Sequence, residues 1–101
     1  MEEHNPPKEN YENGDSYTGD IENKLRHGYG TYTWKNGDIY KGIFSENHRT
    51  GKGRMTYKNG DVYDGAWFKG RKKGKGKQET RDKSYSYDGG WDNDLYEGEG
   101  T

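Results

Sequence analysis

A tandem repeat constrains the fold of this chain more than any other feature of its sequence. The pattern Tyr-x-Gly-x-aromatic or aliphatic, followed by Gly-x-Gly, recurs four times in register, starting at Tyr17, Tyr40, Tyr63 and Tyr87. These tyrosines are spaced 23, 23 and 24 residues apart, and each is followed 11 residues later by the first glycine of its Gly-x-Gly pair. A fixed period of this length is typical of an array in which each unit packs on its neighbours. Arrays of this kind offer long binding surfaces and seldom an enclosed active site.

Each unit has the pattern of a β-hairpin. In the second unit we predict strands over roughly 38–45 and roughly 51–58. The Asn-Gly dipeptide at 59–60 predicts a type I′ turn into the next unit, because both central positions of that turn need a positive φ. Equivalent turns occur at 13–15 and 36–38, and a longer segment, 81–84, replaces the turn before the fourth unit.

Alternation along these strands places aromatic side chains and glycines on one face and polar side chains on the other. We expect the rings to lie over the glycine backbones of neighbouring strands. Only 24% of the residues are hydrophobic, whereas 15% are aromatic, which leaves too few aliphatic side chains for a core between two layers. The sequence therefore predicts an all-β fold, a single-layer elongated antiparallel sheet of tandem β-hairpins. In a single layer, one side of each ring is expected to stay exposed.

The repeated motif resembles the MORN repeat, most closely at 26–32, Arg-His-Gly-Tyr-Gly-Thr-Tyr. The resemblance covers 17–101 and implies the same elongated sheet of hairpins. We divide the chain into a polar, flexible tail at 1–12 and an array at 13–101. The units of the array are 17–39, 40–62, 63–86 and an incomplete one at 87–101. In the third unit, Gln78 and Thr80 depart from the aromatic or aliphatic residues expected there.

The resemblance favours a non-catalytic scaffold or adaptor that binds a protein partner, with a cytoskeletal or ciliary role by analogy alone. Exposed aromatic stripes with polar rims often mark protein interfaces. We therefore expect a peptide or helix to dock on the aromatic face. The residues predicted to bind it are Tyr40, Phe44, Tyr63, Trp67, Tyr87 and Trp91.

A second hypothesis is that the chain is a peripheral membrane module. The middle of the chain is basic between acidic ends, and alternation places several cations in matching positions of the polar face. This predicted basic strip, which would bind anionic phospholipids, consists of Lys52, Arg54, Lys73, Lys75 and Lys77. Nucleic acid is not an expected partner, because the aromatic residues lie on the opposite face and the net charge is −1.

A third hypothesis is that the chain is a detached regulatory segment of a larger enzyme. The resemblance allows it because MORN repeats also occur beside catalytic domains such as those of lipid kinases and SET-type methyltransferases. For this chain itself we expect no enzymatic activity, cofactor or metal. The histidines His4, His27 and His48 have no metal-ligand spacing, and there is no cysteine. The strand at 96–101 would form an open edge able to pair with a second copy. We expect an intracellular protein, cytoplasmic or associated with cytoskeleton or membrane, and not a secreted one.

Overall fold

A computed structural model describes the backbone of residues 8–100 and the side chains of residues 8–95. Within residues 8–100, nine antiparallel strands form one sheet, and their spatial order is their order along the chain. These residues contain no helix that could span a membrane. The predicted all-β sheet of tandem hairpins is confirmed. The strands are β1 (Lys8–Asn10), β2 (Ser16–Glu22), β3 (Leu25–Thr33), β4 (Ile39–Ser45), β5 (His48–Thr56), β6 (Val62–Phe68), β7 (Arg71–Glu79), β8 (Ser86–Asp92) and β9 (Leu95–Gly100).

The N-terminal segment is more ordered than the sequence suggested. β1 pairs with β2, with Lys8 opposite Thr18. The ring of Tyr11 stacks on that of Tyr32, with a centroid distance of 5.9 Å and an interplanar angle of 21°. The prediction of a flexible tail over 1–12 is therefore wrong from residue 8 onward, because this segment extends the β ladder and covers the first repeat. Residues 1–7 lie outside the described part of the chain.

Two kinds of turn connect the strands, one at each edge of the sheet. Type I′ geometry, predicted for the Asn-Gly turns, is found at the opposite edge. Gly37 has a φ of 107°, and its N–H donates to the carbonyl of Trp34, so the Asn-Gly turn ends in a left-handed glycine and is not type I′. Type I′ geometry occurs instead at the hairpin tips, where both central residues have positive φ. These tips are 23–24, 46–47, 69–70 and 93–94.

The second strand of each hairpin begins earlier than predicted and contains a bulge. Between β4 and β5, Gly42 pairs with Gly53 while Ile43 pairs with Thr50, so two extra residues of β5 lie opposite the step from Gly42 to Ile43. Gly51 in this bulge has a φ of 61°. Because two residues are inserted, the alternation of faces is preserved, and residues on both sides of the bulge point to the aromatic face.

The core is a ladder of rings on the aromatic face. Tyr40 lies between Phe44 and Trp67 in edge-to-face contacts, with centroid distances of 5.1 and 5.4 Å. Its ring also covers the backbone of Gly53, where any added Cβ would overlap the ring. The predicted packing of rings over glycines is thus confirmed. The buried members of the ladder are Tyr17, Tyr40, Phe44, Met55, Tyr63, Trp67 and Trp91.

The sheet is not flat. Its overall dimensions are 46 × 32 × 25 Å, and the smallest of them far exceeds the thickness of about 10 Å expected for one flat layer. Twisting and coiling bring side chains of successive repeats over one another on the aromatic face. This curvature lets a single layer enclose a core.

Candidate functional site

The aromatic residues predicted to bind a partner form the core instead of a free surface. Tyr40 and Tyr63 are 0% exposed, and Phe44, Trp67 and Trp91 are 3–4% exposed. The expectation that one side of each ring stays exposed is wrong for these five, because the coiled sheet brings neighbouring rings against both sides.

Polar atoms of these rings are also engaged within the sheet. The Tyr40 hydroxyl donates to the carbonyl of Ile43 at 3.0 Å, and the Trp67 indole N–H donates to the carbonyl of Gly53 at 3.1 Å. Burial raises the pKa of Tyr40 to about 12. The sixth predicted residue, Tyr87, is half-buried, and its hydroxyl donates to the carbonyl of Gly90 at 2.9 Å. These rings can support a binding surface but cannot insert into a partner.

A second row of half-buried rings lies further along the same face and lines a groove. Three adjoining cavities of about 180, 290 and 570 Å³ follow it. The first and second share Trp34 and Arg49 and together reach from Arg26 to Asp94, whereas the third shares Asp38 and Tyr57 with the second and extends toward the turn at Asn59. We call the whole groove the aromatic groove. It is lined mainly by Tyr32, Trp34, Asp38, Arg49, Met55, Tyr57, Lys72, Gln78 and Asp94.

Cations lie on this aromatic face, contrary to the expectation that aromatic and basic residues are on opposite faces. The Arg49 guanidinium lies 4.7 Å from the Trp67 centroid and 5.3 Å from that of Trp34. The Lys72 ammonium lies 5.3 Å from the Tyr57 centroid. It is also 5.1 Å from the centroid of Tyr63 and 5.0 Å from that of Trp91. These distances are in the range of cation–π contacts.

Both cations occupy the same position of the repeat, nine residues after its first tyrosine, as does Arg26 in the first unit. The shared offset was present in the sequence. Its structural consequence could be recognised only from the early start of the second strand, which places this position in the sheet and on the aromatic face.

Arg49 and Lys72 keep hydrogen-bonding capacity. One Arg49 nitrogen, Nη2, donates to the carbonyl of Gly70 at 2.7 Å, and the Lys72 ammonium donates to the Gln78 amide oxygen at 3.0 Å. A guanidinium has five N–H donors and an ammonium three. Among the described residues, these are the side-chain hydrogen bonds that the two groups make. Burial lowers the pKa of Arg49, partly offset by the charge of Asp94; Arg49 nevertheless remains a cation at neutral pH.

Arg26 differs because more of its guanidinium is engaged within the chain, by four nearby rings and two side-chain hydrogen bonds. Its guanidinium lies 4.9 Å from the Tyr32 centroid and 5.6 Å from that of Phe44. Its two terminal nitrogens donate to the Tyr11 hydroxyl at 3.1 Å and to the carbonyl of Asn47 at 3.0 Å. Arg26 thus closes the first-repeat end of the aromatic groove and fastens the N-terminal segment to it.

Acidic side chains along the groove serve the fold. Asp38 accepts the N–H of Lys58 at 2.7 Å, and Asp94 accepts the N–H of Lys72 at 2.8 Å and lies 3.7 Å from the Arg71 guanidinium. In each case a carboxylate of one repeat holds the backbone of an adjacent repeat. In the aromatic groove, the carboxylates of Asp38 and Asp94 therefore already accept hydrogen bonds, whereas Arg49 and Lys72 have N–H donors that are not used within the described chain.

The basic strip predicted on the opposite face is interrupted by acidic residues. Lys73 forms an ion pair with Asp92 at 3.0 Å. Asp64 lies between Arg54 and Lys77, opposite both in the register of the sheet. Charges of opposite sign therefore alternate across the strands around Arg54, Lys73 and Lys77, and binding of anionic phospholipids by the basic strip stays a prediction.

The remaining two members of that strip, Lys52 and Lys75, have the small neighbours Ala66 and Gly90 across the strands. They form no ion pair with any of the described side chains. Two such lysines make a sparse positive surface.

Metal-ligating groups are scattered. Among the described residues, no group of three or more His, Cys, Asp or Glu side chains could hold a metal ion. His27 lies 3.6 Å from the Glu22 carboxylate on an exposed surface. His4 lies outside the described residues. The proposed pairing of two copies through the strand at 96–101 stays a prediction.

A family model, the MORN repeat, matches residues 17–39, 40–62, 63–85 and 87–101. The chain belongs to the MORN repeat family. The matched third unit ends one residue before the predicted boundary at 86, inside the irregular connection between β7 and β8. A comparison with curated proteins found no match. In this MORN array, each of the first three matched units supplies one buried tyrosine of the core ladder and one cation on the aromatic face, and the fourth supplies the half-buried Tyr87.

Proposed function

We propose that this MORN array is a non-catalytic scaffold whose aromatic groove binds a helical segment of a partner protein. The observation that carries the proposal is the combination of half-buried Trp34 and Tyr57 with Arg49 and Lys72 along one continuous groove. Tryptophan, tyrosine and arginine are the residues most enriched among the energetic centres of protein interfaces. The buried rings beneath them provide a rigid floor, which lowers the entropy lost on binding.

A helix suits this surface better than an extended peptide. The groove lies on the face of the sheet, where the backbone groups of the strands are already paired in the ladder. An extended peptide placed there would find few partners for its own N–H and carbonyl groups, and burying them unpaired is costly. A helix satisfies its backbone internally and needs only side-chain contacts.

The polar groups at the groove support a binding role over a catalytic one. The carboxylates of Asp38 and Asp94 are held by backbone N–H groups, and the two cations are stacked on rings. This arrangement fixes side chains for recognition. The membrane alternative is less well supported, since the outer cations that would carry it alternate with acidic residues.

The experiment is a selection of binders from a displayed library of helical peptides, using the folded chain as target. Selected peptides should bind Trp34→Ala and Tyr57→Ala variants at least about tenfold more weakly. They should bind a Tyr29→Ala variant normally, because Tyr29 is 62% exposed on the opposite face. Thermal unfolding of each variant verifies that it is folded.

Hydrogen exchange of the wild-type complex provides a second readout that needs no variant. Protection should increase along β5 and β7, which carry Arg49 and Lys72. The proposal would be refuted if no peptide were enriched, or if enriched peptides bound equally well to both groove variants and protected other strands.

A further inference from the structure

We infer that the helix bound in the aromatic groove carries two carboxylates seven residues apart, one meeting Arg49 and the other Lys72. This inference rests on the proposed function and specifies the chemistry of the partner. It follows from three features of the groove: the spacing of Arg49 and Lys72, their unused donors, and the contacts within the chain that already engage the third cation, Arg26.

The spacing comes from the repeat. Arg49 lies on β5 and Lys72 on β7, at equivalent positions two strands apart. Neighbouring strands are about 4.8 Å apart, so these positions are separated by roughly 10 Å along the array. A helix rises 1.5 Å per residue, and seven residues therefore span about 10.5 Å. Seven residues also make almost two full turns, which returns both side chains to one face of the helix.

Other spacings fit less well. Residues three or four apart on a helix are separated by only about 4.5–6 Å along its axis. Eleven residues span about 16.5 Å, which overshoots the second cation. The array period thus selects the seven-residue interval for a helix that runs along the groove, across the strands.

The charge of the ligand follows from the hydrogen bonds already made. Each cation gives one side-chain hydrogen bond within the described chain, to Gly70 from Arg49 and to Gln78 from Lys72. The nearest carboxylates along the groove, Asp38 and Asp94, already accept backbone N–H groups. The groove therefore has donors to spare and few free acceptors. A partner carboxylate supplies the acceptor, and charge-assisted hydrogen bonds to it are stronger than neutral ones.

The flanking rings hold both charged groups in place before binding. Arg49 lies over two indoles, and Lys72 lies within 5.3 Å of three ring centroids. Arg26, in contrast, is surrounded by four rings and has both terminal nitrogens engaged. Two carboxylates are therefore expected, and a third at a further interval of seven residues would add little.

The test uses three synthetic 21-residue helical peptides that share one leucine seam and are labelled for fluorescence anisotropy. The first carries two glutamates seven residues apart beside the seam. The second carries the same residues with the glutamates four apart, so composition and net charge are unchanged. The third has glutamines in place of the glutamates of the first. We expect the first peptide to bind about tenfold more tightly than either of the others, and its advantage to shrink as salt is raised.

Variants of the chain assign the effect to the groove. Lys72→Gln should remove most of the preference for the first peptide. Lys75→Gln and Lys52→Gln, which remove the same charge from the opposite face, should preserve it. The comparison among peptides on the wild-type chain remains decisive even if Lys72→Gln perturbs folding.

The outcomes separate the two proposals. If all three peptides bind in the groove with equal affinity, the inference about carboxylates is overturned and helix docking stands. If the second peptide binds as tightly as the first, charge matters but the seven-residue spacing is wrong. If no peptide binds to the folded chain while the displayed library yields groove binders, this inference falls alone; if the library also yields none, the proposed function falls with it.

Discussion

Replacing Gly70 with asparagine should stabilise the array, because it restores a contact that two other hairpin tips make. Asn47 accepts the N–H of Arg26 through its side chain at 2.9 Å, and Asp94 accepts that of Lys72 at 2.8 Å. Gly70 occupies the same position between these tips and has no side chain to offer. Its own N–H donates to the carbonyl of Arg49 at 2.9 Å, as the equivalent N–H groups of the other two tips do to Arg26 and Lys72.

The magnitude follows from this geometry. Gly70 has a φ of 82°, close to the 71° of both Asn47 and Asp94. A Cβ there would meet only the Arg49 guanidinium, at 3.6 Å. One new hydrogen bond contributes about 1 kcal/mol, and loss of glycine's freedom in the unfolded chain adds about 0.5 kcal/mol. Left-handed geometry offsets part of this, least for asparagine among L residues. The net gain should be about 0.5–1 kcal/mol, or roughly 2–8 °C in Tm for a chain of this size.

Gly70→Ala is the matched control, because alanine bears the left-handed strain without supplying an acceptor. It should lose about 0.5–1 kcal/mol. Urea unfolding of the three proteins measures both changes, provided that the m-values agree. Hydrogen exchange should also show slower exchange of the Arg49 amide in the asparagine variant alone. Equal stabilities of the asparagine and alanine variants, or an unchanged Arg49 amide, would refute the reasoning.

Three further predictions concern the core and its titratable groups. Gly53→Ala should cost about 3 kcal/mol or more, because the added Cβ would overlap the Tyr40 ring. Gly51→Ala, in the bulge at a φ of 61°, should cost only about 1 kcal/mol, because its Cβ would meet only the half-exposed Ile43 side chain, at 3.3 Å; similar urea midpoints for the two variants would contradict this packing. Stability should fall as the pH rises from 10 towards 12, because burial raises the pKa of Tyr40 from 10.0 to about 12 and the unfolded chain then releases protons first. Tyrosinate absorbance and far-UV circular dichroism should change together in that range, and tyrosines all titrating near pH 10 in a folded chain would argue against it. At the acid end, the hydrogen bond from the Tyr32 hydroxyl, above all, lowers the pKa of Asp15 from its ordinary 3.8. Its contribution is present above that pH and disappears as the pH falls through the folded-state pKa, so Asp15→Asn should flatten the acid dependence of the urea midpoint; an unchanged slope would rule out this role.

The periodic part of the fold could be read directly from the sequence. The regular spacing of the tyrosines and glycines, at intervals of 23 or 24 residues, predicted both the number of hairpins and the packing of rings over glycine backbones. The hairpin tips were harder to place, since their residues differ from unit to unit. The tip of the third hairpin consists of Lys69 and Gly70, and that of the fourth consists of Asn93 and Asp94. The two tips share only a positive φ at both residues.

The groove depended on features that a single unit does not reveal. Burial of Tyr40 and Trp67 follows from the coiling of the whole sheet, which local alternation cannot predict. Arg49 reaches the aromatic face because its strand begins three residues earlier than its glycines indicated. The position of Asp64 between Arg54 and Lys77 could have been predicted from the sequence. It requires the strand register between adjacent units as well as the register within each hairpin.

The agreement between strand order in space and in sequence has a kinetic consequence. Each strand of residues 8–100 pairs only with the strands next to it along the chain, so every hairpin closes a short loop. Low contact order of this kind favours rapid folding for a β protein. One hairpin can form and then template the next, as expected for linear arrays. The chain can therefore assemble its sheet progressively, strand by strand, while later repeats are still being synthesised.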